Sequence, residues 1–313
     1  MKSILGIVKD NGPLSELVYG ANLQPTNYKH FLIINLVLYI ANFEKIEKVQ
    51  FILLNNFKKM SKEAAEKFLD KYDLVVQYSN KNENSEEYIS KNKKKFLFIE
   101  SPIIFRNVSK SLISQKYLRV MAGDHLGIDF IEKYNKDFIR ENFEFPFFSK
   151  KNKNGKSILL INQMVNDSAV KPINPYNWAI NTIKKIREFT NDEIIFRDHP
   201  LQKDIYRIEN EKILNIKNVY LSSNINIEND LHKSRCCVTF SSGSAIESLF
   251  LNIPVIAMDK RSFVYEIVEN KIDMIEHLSV PDLKSLKSAI SFTHYSISEI
   301  LDGTCWNNIK KFI

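Results

Sequence analysis

The sequence predicts an α/β protein on mostly parallel sheet, arranged as two successive halves. Three observations lead there. Short apolar, β-rich runs alternate with helix-patterned segments along the chain. The alternation breaks once, in the polar stretch 145–156, and then resumes. Residues 235–249 read as one βα unit: an apolar run (236–240), a break at Ser241-Ser242-Gly243, and a helix start at Ser244, with Glu247 three positions on as the partner of a capping box.

In order, the first half offers a strand at 4–8, a turn at 10–13 and a buried helix at 28–41. A strand at 49–54 precedes a helix from about residue 61 with Ser61 as N-cap, and strands at 73–78 and 96–100 follow, the latter stopped by Pro102. Residues 117–120 read as a strand leading into a loop at 122–127. The first domain is set at 1–150 and the second at 151–313, with the last amphipathic stretch, 297–312, able to pack back on the first domain through Trp306 and Ile309. The second half opens with a strand at 157–162 and a loop of about a dozen residues, long enough to suspect function. An amphipathic helix at 176–189 follows, with Trp178, Ile180, Ile183 and Ile186 inward. Next come a strand at 193–196 running into Arg197-Asp198-His199-Pro200, a strand at 219–221, a short helix at 227–234, and the serine-loop unit.

Composition narrows the class. At 313 residues and 44% hydrophobic, the chain can bury two cores. The longest apolar run, 31–43, is interrupted by Asn35 and Asn42 and is too short to span a bilayer. Met1-Lys2 leads directly into a strand, so no signal peptide is expected, and three cysteines without zinc or disulfide spacing point to a reduced, cytoplasmic protein. The net charge is +7; residues 1–150 carry 23 basic against 18 acidic side chains, which hints at an anionic partner such as nucleic acid. The lysines are scattered through a Lys-, Asn- and Ile-rich chain, so charge alone decides little.

The chemistry-bearing residues lie where strands end. Ser241, Ser242, Gly243 and Ser244 offer hydroxyls and backbone N–H groups at a helix start, which suits a phosphate, although an ordinary capped turn has the same residues. Arg197 and His199 sit at the C-terminal end of a strand, the edge where open parallel sheets bind ligands. Gln163 and Asp167, in the loop 163–168, could contact a nucleotide or sugar. Glu247 is a cap partner or a ribose-hydroxyl acceptor. No Asp-x-Asp, Gly-x-x-x-x-Gly-Lys, Gly-x-Gly-x-x-Gly, His-Glu-x-x-His or Gly-x-Ser-x-Gly is present, which weighs against kinase, dehydrogenase, zinc-hydrolase and serine-hydrolase readings.

His199-Pro200 and Ser241-Ser242, set in the second of two α/β halves, resemble the donor-phosphate motifs of GT-B glycosyltransferases, in the branch of capsule-type Kdo transferases and bacterial sialyltransferases. The resemblance implies two Rossmann-like domains facing a central cleft. The N-terminal domain would hold the acceptor. The C-terminal one would bind a nucleotide sugar, taken to be a UDP-sugar, with no metal or other cofactor. Further matching pieces, among them Tyr117-Leu118-Arg119-Val120, Arg197-Asp198-His199-Pro200 and the ending 299–306, resemble a group of phage-encoded glycosyltransferase-like proteins. That resemblance implies a DNA acceptor, 5-hydroxymethylcytosine, in a host cytoplasm. Asp124, then His125, is the expected general base. Asp198 departs from the family's Arg-Pro-His-Pro: it would repel an anionic donor unless it points away or pairs with Arg197. A surface-polysaccharide transferase, a nucleotide-sugar epimerase and a non-catalytic nucleic-acid-binding protein are the alternatives.

Overall fold

Strand β1 (Ser3–Val8) is buried along its whole length and starts the first of two sheets. The computed structural model describes residues 1–8, 28–79, 86–104, 115–123, 139–146, 155–167, 169–202 and 205–313. Two units emerge: Met1–Glu144 together with Lys284–Ile313, and Phe145–Leu283.

After β1 the first unit continues with α1 (Tyr28–Phe43), β2 (Lys48–Leu53), α2 (Leu54–Lys58), α3 (Lys62–Leu69), β3 (Leu74–Tyr78), α4 (Glu86–Lys91), β4 (Phe96–Glu100) and β5 (Leu118–Ala122). The second unit holds β6 (Ser157–Ile161), α5 (Pro175–Ile186), β7 (Ile194–Arg197), α6 (Arg207–Leu214), β8 (Val219–Leu221), α7 (Ile227–Lys233), β9 (Ser234–Thr239), α8 (Ser244–Phe250) and β10 (Val255–Ala257). The chain then returns to the first unit as α9 (Lys284–Thr293), β11 (His294–Tyr295), α10 (Ile297–Leu301) and α11 (Thr304–Ile309).

The first sheet has the order β11-β5-β4-β3-β1-β2. Its strands β2, β1, β3 and β4 are parallel, whereas β5 and β11 run antiparallel to their neighbours, so this sheet is mixed. One face packs on α1, which is apolar around its circumference and accordingly buried. The other face packs on α2, α3 and α4 through Phe57, Ala65, Leu69 and Tyr88. Ser61 caps α3 by accepting from the Ala64 N–H at 3.2 Å.

The return of the chain after residue 283 differs from a second domain running to 313. Its cause is apolar matching. Phe292, Ile300, Cys305, Trp306 and Ile309 share one buried cluster with α1. Polar contacts reinforce it: Trp306 Nε1 donates to Glu44 at 2.9 Å, and Arg140 donates to the Ser291 carbonyl at 2.6 Å and to Glu299 and the His294 carbonyl. The stretch 297–312 is two short helices rather than one, because Gly303 between them is left-handed (φ +80°).

The second sheet, β10-β9-β6-β7-β8, is wholly parallel. Its central strands read as continuous apolar runs because both faces are covered. The inward face of α5 is set by Tyr176, Ala179, Ile183 and Ile186. Trp178 and Ile180, expected inward, flank that face half-buried. From β6 the chain builds outward through β7 to β8, then crosses to the other side of β6 for β9 and β10. The order therefore reverses between β6 and β9, and their C-terminal ends open the crevice where doubly wound sheets bind ligands.

Candidate functional site

The loops leaving β6, β7 and β9 meet at this reversal. Gln163, just past β6, accepts from the Ser241 N–H through Oε1 at 2.8 Å, and its Nε2 lies 3.2 Å from the Ser241 hydroxyl. The Ser241 hydroxyl also lies 2.8 Å from the Ala169 carbonyl, tying the serine loop to the far end of the 163–172 loop. Gln202, past β7, donates to the Gln163 carbonyl at 2.8 Å and accepts from the Val165 N–H at 2.9 Å. All of these contacts but the one between Gln163 Nε2 and the Ser241 hydroxyl use a loop backbone group that the sheet leaves unpaired, so the three loops hold one another in place.

Asp198 anchors this arrangement from beneath. It is buried, and its Oδ1 accepts from Asn162 Nδ2 (3.0 Å), the His199 N–H (2.8 Å) and Gln202 Nε2 (3.3 Å). Its Oδ2 accepts from the Tyr176 hydroxyl (2.7 Å) and Asn210 Nδ2 (3.2 Å). Burial, and then the hydrogen bond to Asp198, push the Tyr176 phenol well above its usual range, so it stays a donor. The repulsion expected of Asp198 does not arise: the carboxylate points into a shell of donors and does not pair with Arg197.

Arg197 turns the other way. Its Nη1 donates to Asp230 (2.5 Å), the Ser222 hydroxyl (3.2 Å) and the Asn224 carbonyl (2.9 Å), and its Nη2 to the Ile225 carbonyl (2.8 Å). All four lie in or after β8, on the side of β7 away from β6. Asp230 is buried and needs a counter-charge, and Arg197 is committed to it. The structure therefore gives Arg197 a role in bracing β7 to β8. His199 remains with the converging loops. Its Nδ1 accepts from the Leu201 N–H at 3.2 Å, so the neutral ring carries its proton on Nε2.

The serine loop also departs from expectation. Gly243 already has helical angles (φ −60°, ψ −21°) and is the N-cap of α8, with no side-chain cap. Ser244 is thus the first helical residue, and the expected Ser244–Glu247 capping box is not formed. The Ser242 hydroxyl instead accepts from the Ser244 N–H at 3.3 Å, and the Ser242 N–H donates to Thr239 Oγ1 at 3.2 Å. The Gly243 N–H has no acceptor among the described residues. Asp167 accepts from the Ala169 N–H at 2.8 Å and closes a local turn. Asp124, His125 and Ser168 lie outside the described residues.

Sequence reasoning missed a cationic group beside the serine loop. Arg261, past β10, grips Asp259 with Nε (2.6 Å) and Nη2 (3.0 Å), donates to the Lys171 carbonyl, and lies 5.1 Å from the centre of the Phe240 ring. Burial works to raise the Asp259 carboxyl, but the bonds from Arg261 outweigh it and hold it below its usual range. Nothing local in Asp259-Lys260-Arg261 signals this, because the partners lie about twenty and ninety residues away in sequence. Asn162, Tyr176, Gln202 and Asn210 were missed for the same reason.

Comparison with solved structures fits this topology. A β-Kdo 2,7-transferase domain of KpsC from Thermosulfurimonas dismutans superposes over 98% of this chain and 99% of its own, at 11% identity and a TM-score of 0.50. The fold is GT-B. The KpsC β-Kdo 2,4-transferase aligns over 82% of this chain and 87% of its own (15% identity, TM-score 0.41). A UDP co-structure of MnaA from S. aureus aligns over 99% and 98% (14% identity, TM-score 0.34). A family model described as capsule polysaccharide biosynthesis protein matches residues 128–268 of this GT-B chain, which include the serine loop and His199. No curated protein sequence matches. Among the described residues no helix is long and apolar enough to cross a membrane, and no group of three or more His, Cys, Asp or Glu is placed to hold a metal ion.

Proposed function

We propose that this chain is a glycosyltransferase of the capsule-polysaccharide type, moving a sugar from a nucleotide donor to a hydroxyl acceptor. The observation that carries the reading is the mutual locking of the Gln163, His199 and Ser241 loops at the reversal point of a parallel sheet. In this reading the crevice above β6 and β9 takes the nucleotide diphosphate. His199 Nε2–H and the Gly243 N–H meet phosphate oxygens, where negative charge grows as the sugar leaves. Arg261 on Phe240 borders the same crevice, whereas Arg197 acts only through the loop it braces. Donor binding belongs to Phe145–Leu283, and the acceptor and general base belong to the first unit. A saccharide hydroxyl is the favoured acceptor, because the matching family model is described as a capsule polysaccharide biosynthesis protein.

Purified protein is incubated with UDP-glucose, UDP-N-acetylglucosamine or nucleotide-activated Kdo, and with an oligosaccharide or hydroxymethylated DNA. Nucleotide release with label in the oligosaccharide supports the reading; label in DNA moves the acceptor to the nucleobase. Epimerised UDP-sugar without transfer identifies an epimerase. Failure to bind or consume any of the donors removes the assignment. Turnover that survives EDTA is expected from the missing Asp-x-Asp.

A further inference from the structure

The outward face of α5 begins as a row of carboxamides. Asn174, Asn177 and Asn181 follow one another at three- and four-residue spacing, so they stand on one face of the helix, each about 5 Å further along its axis. Lys185 continues the row. Asn174 caps the helix: its Oδ1 accepts from the Tyr176 N–H at 2.9 Å and the Asn177 N–H at 3.1 Å, which leaves its NH₂ as a donor. The Asn177 and Asn181 side chains are exposed and make no hydrogen bond among the described residues.

This row borders an open cavity of about 340 Å³, within the range of small-molecule sites, and the cavity lies wholly inside the second unit. Trp178, Thr182 and Met258 are also in its wall. Met258 follows β10, where its N–H donates to the Thr239 carbonyl at 3.0 Å, and the buried Thr182 hydroxyl lies 3.7 Å from its sulfur. Trp178 is half-buried and set against Phe240, with ring centres 5.7 Å apart at 77°. The cavity therefore combines an aromatic ring and a thioether with the amide groups of three asparagines. No described carboxylate lines it, and its one cation, Lys185, is paired with Glu188 at 2.5 Å.

We propose that this face of α5 binds an extended, neutral oligosaccharide. Sugar hydroxyls both donate and accept hydrogen bonds, and a carboxamide answers both needs without bringing charge. The C–H faces of a sugar ring are apolar and pack on an aromatic ring and a thioether, the mixture of apolar wall and few polar groups that small-molecule sites use. The rise from one asparagine to the next is close to the length of one sugar residue in a chain, so each amide meets a different residue of the glycan. An anion such as a nucleotide finds no uncommitted cation in this wall. The lining alone carries the site; the glycosyltransferase reading above adds only the source of the glycan, the polymer being extended.

The test titrates the full chain, and the same chain carrying both Asn177→Ala and Asn181→Ala, with maltohexaose, cellohexaose and chitohexaose, each beside its disaccharide, and with hexagalacturonate as the anionic comparison. Binding is followed by calorimetry and by tryptophan emission. The chain holds two tryptophans, and Trp306 is buried in the first unit, so an emission change that survives Trp306→Phe reports on Trp178. At least one neutral hexasaccharide should bind saturably and more tightly than its disaccharide. The double variant should bind it about 10-fold or more weakly, as the loss of two hydrogen bonds predicts, with UDP affinity unchanged and no drop in melting temperature. The proposal is overturned by no saturable response to any neutral hexasaccharide, by undiminished affinity in the double variant, by tighter binding of hexagalacturonate, or by displacement of the glycan by UDP. Saturable glycan binding by a chain that neither binds UDP nor releases nucleotide from a donor keeps this site and removes the glycosyltransferase reading.

Discussion

Asp198→Ala separates the arrangement seen here from the one the sequence suggested. The carboxylate accepts five hydrogen bonds. Gln202 Nε2 keeps the Gln163 carbonyl when Asp198 is removed. The Asn162, Tyr176 and Asn210 side chains and the His199 N–H each lose the contact named above. An orphaned buried donor costs about 1–3 kcal/mol. Even at the low end, the Asn162 and Tyr176 losses alone amount to about 2 kcal/mol. Asp198→Asn should cost roughly half as much: the amide oxygen can serve the three donors of Oδ1, leaving its NH₂ to face the Tyr176 hydroxyl and the Asn210 amide. Urea unfolding followed by fluorescence measures both, with UDP titration alongside. If Asp198 faced the donor, removing its charge would tighten UDP binding and leave stability unchanged. A loss below about 1 kcal/mol for Asp198→Ala, or tighter UDP binding by Asp198→Asn, would refute the buried-anchor account.

The other perturbations are shorter to state. Arg197→Ala strands the buried Asp230 carboxylate and should cost about 3–5 kcal/mol in the same unfolding assay; Arg197→Lys should recover little, since one ammonium cannot reach four acceptors spread over the 222–225 loop and α7. Gly303→Ala puts a Cβ into the ring of Tyr39 at a left-handed backbone position. In a Tyr39→Ala background the clash is relieved, and only the backbone cost, about 1 kcal/mol, should remain as a lowered melting temperature. His294 is neutral in the fold, with its pKa depressed from 6.5 to about 3, so its contribution is intact above pH 6.5 and is lost as pH falls toward 3. Stability should fall by about 1.4 kcal/mol per pH unit from this residue. Melting temperatures between pH 7.5 and 4.5 should therefore drop less steeply for His294→Gln, and equal slopes would contradict the assignment.

What could be read in the sequence was what local pattern encodes. Period-two and continuous apolar runs placed β1, β3, β4, β6 and β9, and the Ser61 cap and the breakers around Gly243 placed helix starts. Trp306 and Ile309 were legible as anchors able to pack back on the first domain, but that α9 and β11 return with them needed coordinates, because periodicity cannot say which sheet a helix will join. Side-chain commitment is equally invisible. Arg197 and Asp198 are adjacent, but strand alternation sends one toward β8 and the other under the loops, reversing the roles a linear motif suggests. The capping box failed for a local reason: Gly243 already adopts helical angles, which shifts the cap by one residue. Glu100 read only as the end of a strand, because the row it forms through Arg119 to His294 arises from antiparallel pairing that a parallel-sheet expectation does not contain.

The two sheets place their polar residues by the same physical rule. In each, central strands are apolar over most of their length, and buried polar side chains gather at the C-terminal edge: Asn162 and Asp198 in one, Gln77 and Arg119 in the other. Burying such groups costs more than burying hydrocarbon unless every partner is supplied. The Asp198 carboxylate takes its five donors from the chain itself, while Asn162 Oδ1 beside it has no partner among the described residues. On the other edge Gln77 Nε2 has no partner among the described residues. What sets the Asp198 edge apart is the locking of its three loops, not complete hydrogen bonding beneath them.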